Sequence, residues 1–130
     1  MGRMLRNDHM AFRVRDLDRS LRFYTETLGM RFLFRETDEA HGEAFAYLEL
    51  DGGNLELLQS LDTAMPPVPE PCPPYAPHLA IATDDLATLA GALAGKGVPI
   101  LKGPMTIPGK VTWLYIADPD NNVLEFVQWL

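Results

Sequence analysis

The chain carries a single cysteine, Cys72, in 130 residues, so no internal disulfide can form, which fits a reducing cytoplasm. Positive charge is also scarce: 11 Lys and Arg against 18 Asp and Glu leave a net charge of −7. Nucleic acid and anionic membrane surfaces both require basic patches, so neither is an expected partner. No apolar run is long enough to span a bilayer, and the opening "MGRMLRNDH" lacks the apolar segment of a secretory signal. The expectation is a soluble, cytoplasmic protein. Histidine is sparse as well, with only His9, His41 and His78. What remains is 47% apolar, the composition of one globular domain with a substantial core.

Proline is not scarce, and it is unevenly spread. Residues 61–77, "LDTAMPPVPEPCPPYAP", hold seven of the 11 prolines. Proline fixes φ and donates no backbone hydrogen bond, so this segment is expected to be an extended, semi-rigid tether. The sequences on either side of it match at a shift of 69: "HMAFRVRDL" (9–17) falls on "HLAIATDDL" (78–86), and "DGGNLELLQ" (51–59) on "DNNVLEFVQ" (120–128). Between these matches the register slips by one, since Gly29 and Gly97 are 68 apart.

Each half has the same expected layout. In the first, residues 8–15 alternate as a strand, and Asp16 or Asp18 can cap a helix. Leu17, Leu21, Tyr24 and Leu28 recur at helical spacing in that helix, and Gly29 stops it. Strands follow near 30–36, 43–50 and 54–60, with "DGG" as the last turn. The second half predicts a strand at 77–83, a helix near 85–95, and strands near 98–102, 111–117 and 122–129, closed by "DPDNN". The unit is βαβββ, used twice within one domain over 1–130. Module one spans about 7–60, the tether 61–77 and module two about 77–129.

The repeat changes how Glu56 is read. A lone glutamate in "LELLQ" belongs in solvent, and a lone strand histidine is usually a core or edge residue. Yet His9 to Glu56 is 47 residues and His78 to Glu125 is also 47 (56 − 9 and 125 − 78). If the first and last strands of each unit are neighbours, one His and one Glu project from the same face. Two units related by a pseudo-twofold axis would then gather two His and two Glu, a donor set suited to a divalent transition metal. The metal would offset the mutual repulsion of two carboxylates. His41 has no twin, lies beside Gly42 and is read as solvated.

The segments "HMAFRVRDLDRSLRFYTETLGM", "NLELLQ", "PHLAIATDDL" and "ADPDNNVLEFVQ" together resemble the vicinal oxygen chelate superfamily, and within it glyoxalase I (lactoylglutathione lyase). The resemblance covers nearly the whole chain. It implies an α+β fold of two tandem βαβββ modules forming a curved mixed sheet around a metal-binding cavity. It also implies that His9, Glu56, His78 and Glu125 are the metal ligands, matching the glyoxalase I pattern place for place. Methylmalonyl-CoA epimerases usually carry Gln at the second place, extradiol dioxygenases and fosfomycin-modifying enzymes use three ligands, and bleomycin-sequestering proteins have lost the set. Glu56 is thus the most discriminating residue.

The implied reaction converts the hemithioacetal of methylglyoxal and glutathione to a lactoyl thioester through an enediolate, with Glu125 as the base and Glu56 its pseudo-symmetric counterpart. The implied metal is Ni, Zn or Co, with Mn or Fe as further options. The implied assembly is a homodimer. The alternatives are another activity of the superfamily, such as an acyl-CoA epimerase or dioxygenase, or a protein that sequesters a small molecule. Arg13 matches the family arginine that holds the glutathione carboxylate; where its Asn partner is usual, this chain has Ser60. The lysine-bearing glycine loop is altered to "GPMTIPGK", and Lys102 and Lys110 are read as solvated in preference to anion contacts. Met30, Phe32 and Phe34 are read as strand packing. Trp113, Tyr115 and Trp129 are read as core packing, with the lining of a pocket as the alternative. Cys72 is read as a surface thiol.

Overall fold

The computed structural model describes residues 2–130, and the chain divides into two compact units, Met1–Pro67 and Val68–Leu130. In the first, after a short 3-10 turn at Gly2–Met4, come β1 (His9–Arg13), α1 (Leu17–Arg22) and β2 (Phe32–Asp38), then β3 (Glu43–Leu48) and β4 (Asn54–Ser60). The second repeats the pattern with β5 (Leu79–Ala82), α2 (Leu86–Gly95), β6 (Ile100–Ile107), β7 (Val111–Ala117) and β8 (Val123–Trp129). Each unit builds its own four-stranded mixed sheet, in the orders β1-β4-β3-β2 and β5-β8-β7-β6. The first strand therefore lies parallel to the last, while the remaining pairs are antiparallel. A parallel neighbour needs a long crossover connection, and the helix with the two middle strands supplies it.

One face of each sheet is covered by the unit's own helix. In unit one Ala44, Ala46 and Leu48 of β3 and Leu55 and Leu57 of β4 are buried, as are Leu17 and Tyr24 opposite them. The alternation follows from the two-residue period of a strand. Full burial of each of these leucines contributes about 1.5–3 kcal/mol. Unit two repeats the arrangement with Leu114, Ile116, Leu124 and Phe126 beneath Leu86 and Leu93.

The start of each helix is held twice. Asp16 caps α1 by accepting from the Arg19 N–H at 3.2 Å, and Asp85 caps α2 by accepting from the Thr88 N–H at 3.0 Å. A strand-end glutamine also reaches each helix: Gln59 Oε1 accepts from the Leu17 N–H, and Gln128 Oε1 from the Leu86 N–H, both at 2.9 Å. The first N–H groups of a helix have no partner within it, and these side chains satisfy them.

Three expectations need adjustment. The helix of unit one is α-helical only to Arg22; a π-helical turn over Phe23–Thr27 completes it. The "GPMTIPGK" segment is no loop for most of its length, because β6 runs through it to Ile107, with register shifts on the way to Met105. Pro104 is tolerated there because β6 is an edge strand. Gly103 has φ +106°, and a Cβ on it would meet the Trp113 carbonyl oxygen at 2.8 Å, so glycine is required by the close approach of β7. Finally, Phe32 and Phe34 are not core residues: they are 46% and 44% exposed, and Phe34, the register partner of Tyr47, lies on the face that the helix leaves uncovered. Segment 61–77 contains no helix or strand, consistent with its prolines.

Candidate metal centre

The parallel pairing of first and last strands brings each sequence-predicted His–Glu pair together. In unit one Ala11 pairs with Glu56, which places His9 two residues earlier on the same strand face as the carboxylate. In unit two Ala80 pairs with Glu125, and His78 stands two residues before Ala80. The separations are nearly equal: His9 Nε2 to Glu56 Oε1 is 3.5 Å, and His78 Nε2 to Glu125 Oε1 is 3.6 Å. Both carboxylates are largely withdrawn from water, at 13% and 17% side-chain exposure.

The histidine tautomers follow from their other nitrogens. His9 Nδ1 lies 2.6 Å from Asp8 Oδ2, and His78 Nδ1 lies 2.9 Å from the Tyr75 carbonyl oxygen. A carboxylate and a carbonyl only accept, so each Nδ1 carries the hydrogen and donates it. An imidazole in that tautomer has its Nε2 lone pair facing the glutamate. Two lone-pair-bearing atoms 3.5–3.6 Å apart do not bond to each other. They are placed as two ligands of one cation would be, since ligands about 2.0–2.1 Å from a tetrahedral metal sit roughly 3.3 Å apart. A histidine whose remote nitrogen is pinned by an oxygen acceptor is the usual orientation of a metal-ligating imidazole. The donor set thus fits a divalent transition metal. Each unit supplies one pair, and among the described residues no three His, Cys, Asp or Glu side chains cluster as a metal site.

Behind each glutamate stands a tyrosine. Tyr47 on β3 is the register partner of Glu56, and Tyr115 on β7 is the register partner of Glu125. Burial, together with the neighbouring glutamate, pushes both phenols above their ordinary pKa. Each ring also meets the histidine of its pair edge-on at a centroid distance of 5.4 Å. Sequence reasoning passed over Tyr47. The signal was present: Tyr47 and Tyr115 are 68 apart (115 − 47), the same interval as Gly29 and Gly97.

The surroundings of the two pairs differ. Around Glu56, Phe34 stacks on Tyr47 at 4.9 Å and Phe45 meets both rings edge-on. Arg13 and Ser60 share a cavity of about 390 Å³ with Glu43 and Leu58. Around Glu125 a cavity of about 300 Å³ is lined by Trp113, Tyr115 and Trp129 together with Ile107, Val111 and Val127, and contains no cationic side chain. For these aromatics the pocket reading holds over the core reading, and Trp129 is 65% exposed. Lys102 and Lys110 are exposed, and so are Cys72 and His41, the latter paired with Asp38 at 2.8 Å.

These geometries can be set beside known proteins. YwbC of Bacillus subtilis (strain 168), an uncharacterized protein, is 31% identical over 129 residues, covering 95% of this chain and 97% of its own. A probable lactoylglutathione lyase of Vibrio parahaemolyticus is 28% identical, covering 98% of this chain and 91% of its own. A glyoxalase I mutant from Zea mays superposes with a TM-score of 0.76 at 27% identity, over 94% of this chain and 44% of that one. No described helix is long and apolar enough to cross a membrane. The family model described as the Glyoxalase/Bleomycin resistance protein/Dioxygenase superfamily matches residues 6–126, and the chain belongs to that superfamily.

Proposed function

We propose that the protein is a metal-dependent lyase of glyoxalase I type, with His9, Glu56, His78 and Glu125 as the ligand set. The observation that carries this reading is the pair of pinned histidines, each with Nε2 facing a glutamate at 3.5 or 3.6 Å. A complete set takes one pair from each of two units, and a homodimer is part of the reading. The metal is one of nickel, zinc or cobalt, with manganese or iron as alternatives, and when bound it supplies Lewis acidity that stabilises negative charge on the substrate oxygens.

The chain's own residues handle the proton. In a hemithioacetal of methylglyoxal and a thiol, the carbon bearing sulfur and hydroxyl loses its proton to the Glu125 carboxylate. The same carboxylate returns a proton to the neighbouring carbon. As the hydroxyl proton passes from the first oxygen to the second, the first carbon becomes the thioester carbonyl and the second the alcohol carbon, so the change is an isomerisation with no net gain or loss. Glu56 is the pseudo-symmetric counterpart. Tyr47 and Tyr115 stand directly across the register from the two carboxylates. Arg13 and Ser60 offer a charged and a polar group to the anionic arm of a glutathione-like substrate. The cavity that Glu125 lines is otherwise aliphatic and aromatic and favours an apolar group at the other end.

The experiment is elemental analysis of the purified protein and of Glu56→Gln and His78→Ala, with S-lactoylglutathione formation assayed under added nickel, zinc, cobalt and manganese in turn. Equal metal content in parent and variants would sink the ligand set. Metal binding without turnover under any of the four would remove the substrate and leave the site, pointing to the epimerase, dioxygenase or sequestering alternatives.

A further inference from the structure

We infer that the segment ahead of each unit's first strand is a strap that positions the histidine of that unit, and that Asn7 and Asn121 tie the two straps in place. The inference rests on the metal reading above. It goes further by giving a function to residues outside the ligand set, the proline-rich segment among them.

In unit one the strap is short. Asp8 Oδ2 pins His9 Nδ1 at 2.6 Å, yet the Asp8 side chain is 87% exposed, so packing does not hold the carboxylate. The backbone and the preceding residue hold it instead. The Asp8 carbonyl accepts from the Asn54 N–H at 3.0 Å, and Asn7 Nδ2 donates to the Gly52 carbonyl at 2.9 Å. The turn before β4 is shaped to admit this tie. Gly53 has φ +132°, and a Cβ there would collide with Asn7 Nδ2.

In unit two the strap runs from Val68 to Tyr75. Asn121 takes the place of Gly52 at the shift of 69, and the tie runs in the opposite sense. Its Nδ2 donates to the Val68 carbonyl at 2.9 Å and to the Pro69 carbonyl at 3.3 Å. Asn121 has φ 63°, a conformation that asparagine adopts more readily than most residues. Pro69, Pro71, Pro73 and Pro74 then fix φ along the strap, so a hold at one end carries to the other. At the far end the Tyr75 N–H donates to the Cys72 carbonyl at 2.9 Å, and the Tyr75 ring lies 5.0 Å from that of Tyr115. Its carbonyl accepts from His78 Nδ1 at 2.9 Å. Tyr75 itself takes φ 63°, costly for a non-glycine residue, and these contacts keep it there.

Both straps therefore end on the same atom of their histidine. A neutral imidazole can carry its hydrogen on either nitrogen, and the partner of one nitrogen decides the state of the other. An acceptor at Nδ1 selects the form whose Nε2 lone pair faces the glutamate, before any cation arrives. In unit two the proline-rich segment is thus a working part of the centre.

The test uses a His41→Gln background, which leaves two histidine signals, and compares the parent with Asp8→Ala, Asp8→Asn, Asn7→Ala, Asn121→Gly and Tyr75→Gly. Glycine at 121 and 75 tolerates the positive φ, so the tie or the ring is deleted without adding strain. Nitrogen-15 NMR of the metal-free proteins, at a pH where both rings are neutral, reports which ring nitrogen carries the hydrogen. Cobalt(II) affinity is read by competition with a chelator. The parent is expected to show the Nδ1–H form at both histidines. Asp8→Ala and Asn7→Ala should move His9 toward the Nε2–H form and leave His78 unchanged, while Asn121→Gly and Tyr75→Gly do the converse. Asp8→Asn keeps an oxygen acceptor and should keep the parent form. Cobalt affinity should fall roughly 10-fold wherever the tautomer shifts. Melting temperatures show which variants are folded, and the second variant of each unit gives the reading if the first is not. Parent tautomers in all four strap variants would overturn the inference, as would equal shifts at both histidines in every variant. A parent that holds both histidines in the Nδ1–H form yet binds no cobalt would overturn the metal reading alone.

Discussion

Gln59 Oε1 accepts a hydrogen bond from the backbone N–H of Leu17 at 2.9 Å, across 42 residues of chain, so the end of β4 holds the start of α1. Gln128 and Leu86 repeat the relationship at the same distance and the same separation. Two of the identities that reveal the repeat therefore have a structural cause, distinct from the His–Glu pairs. The expected result of Gln59→Ala or Gln128→Ala is a loss of about 1 kcal/mol in chemical denaturation, with metal binding unchanged. A drop in metal content without a drop in stability would contradict this division.

Metal binding should stabilise the fold. A ligand that binds only the native state adds about 2.7 kcal/mol at a free concentration 100 times its dissociation constant. Saturating zinc or nickel is therefore expected to raise the melting temperature of the parent, and excess chelator to reverse the rise. Glu56→Gln and Glu125→Gln should show little or no such rise. An equal rise in these variants would place the stabilising cation elsewhere.

Acid should weaken the start of α2. The Thr88 side-chain and backbone donors hold the Asp85 carboxyl below the ordinary range. A depressed carboxyl pKa contributes stability that is present above the unfolded value of about 3.9 and is lost as pH falls through the folded value. Asp85→Ala is thus expected to melt a few degrees below the parent at neutral pH, with the gap narrowing as pH falls below about 4. A gap that is constant or widens toward acid would refute the assignment.

The two faces of the first sheet should respond differently to truncation. Leu57 is fully buried, and Leu57→Ala is expected to cost about 2–5 kcal/mol. Phe34 is 44% exposed and stacks on Tyr47, so Phe34→Ala should cost about 1 kcal/mol or less. Urea denaturation of both variants checks this, and a large loss at Phe34 would mean that its face is covered in solution.

The two His–Glu pairs were legible because a duplication leaves a measurable interval, and His9 to Glu56 and His78 to Glu125 share the same one. Strand order then makes the interval meaningful: first and last strands are parallel neighbours in each unit, which meets the condition the spacing required. The tyrosines were harder to see, because the middle of each half runs at a shift of 68 while the ends run at 69. The extra residue lies in the turn before β8, where a register read from the ends misaligns β3 with β7. The role of "GPMTIPGK" was likewise hidden. Glycine and proline signal a loop locally, and only the edge position of β6 and the approach of Trp113 to Gly103 explain them within a strand.

Periodicity and repetition were enough to specify the βαβββ unit, its doubling and the two His–Glu pairs, because these depend on local pattern and on spacings along the chain. The roles of Phe34 and Trp129 on an uncovered face, the alignment of Tyr47 and Tyr115 with their glutamates and the pinning of His78 by Tyr75 came from the folded structure. Those depend on which strand lies beside which, and in what register. Contacts between residues far apart in sequence set that arrangement, and the sheet geometry turns it into a choice of neighbours.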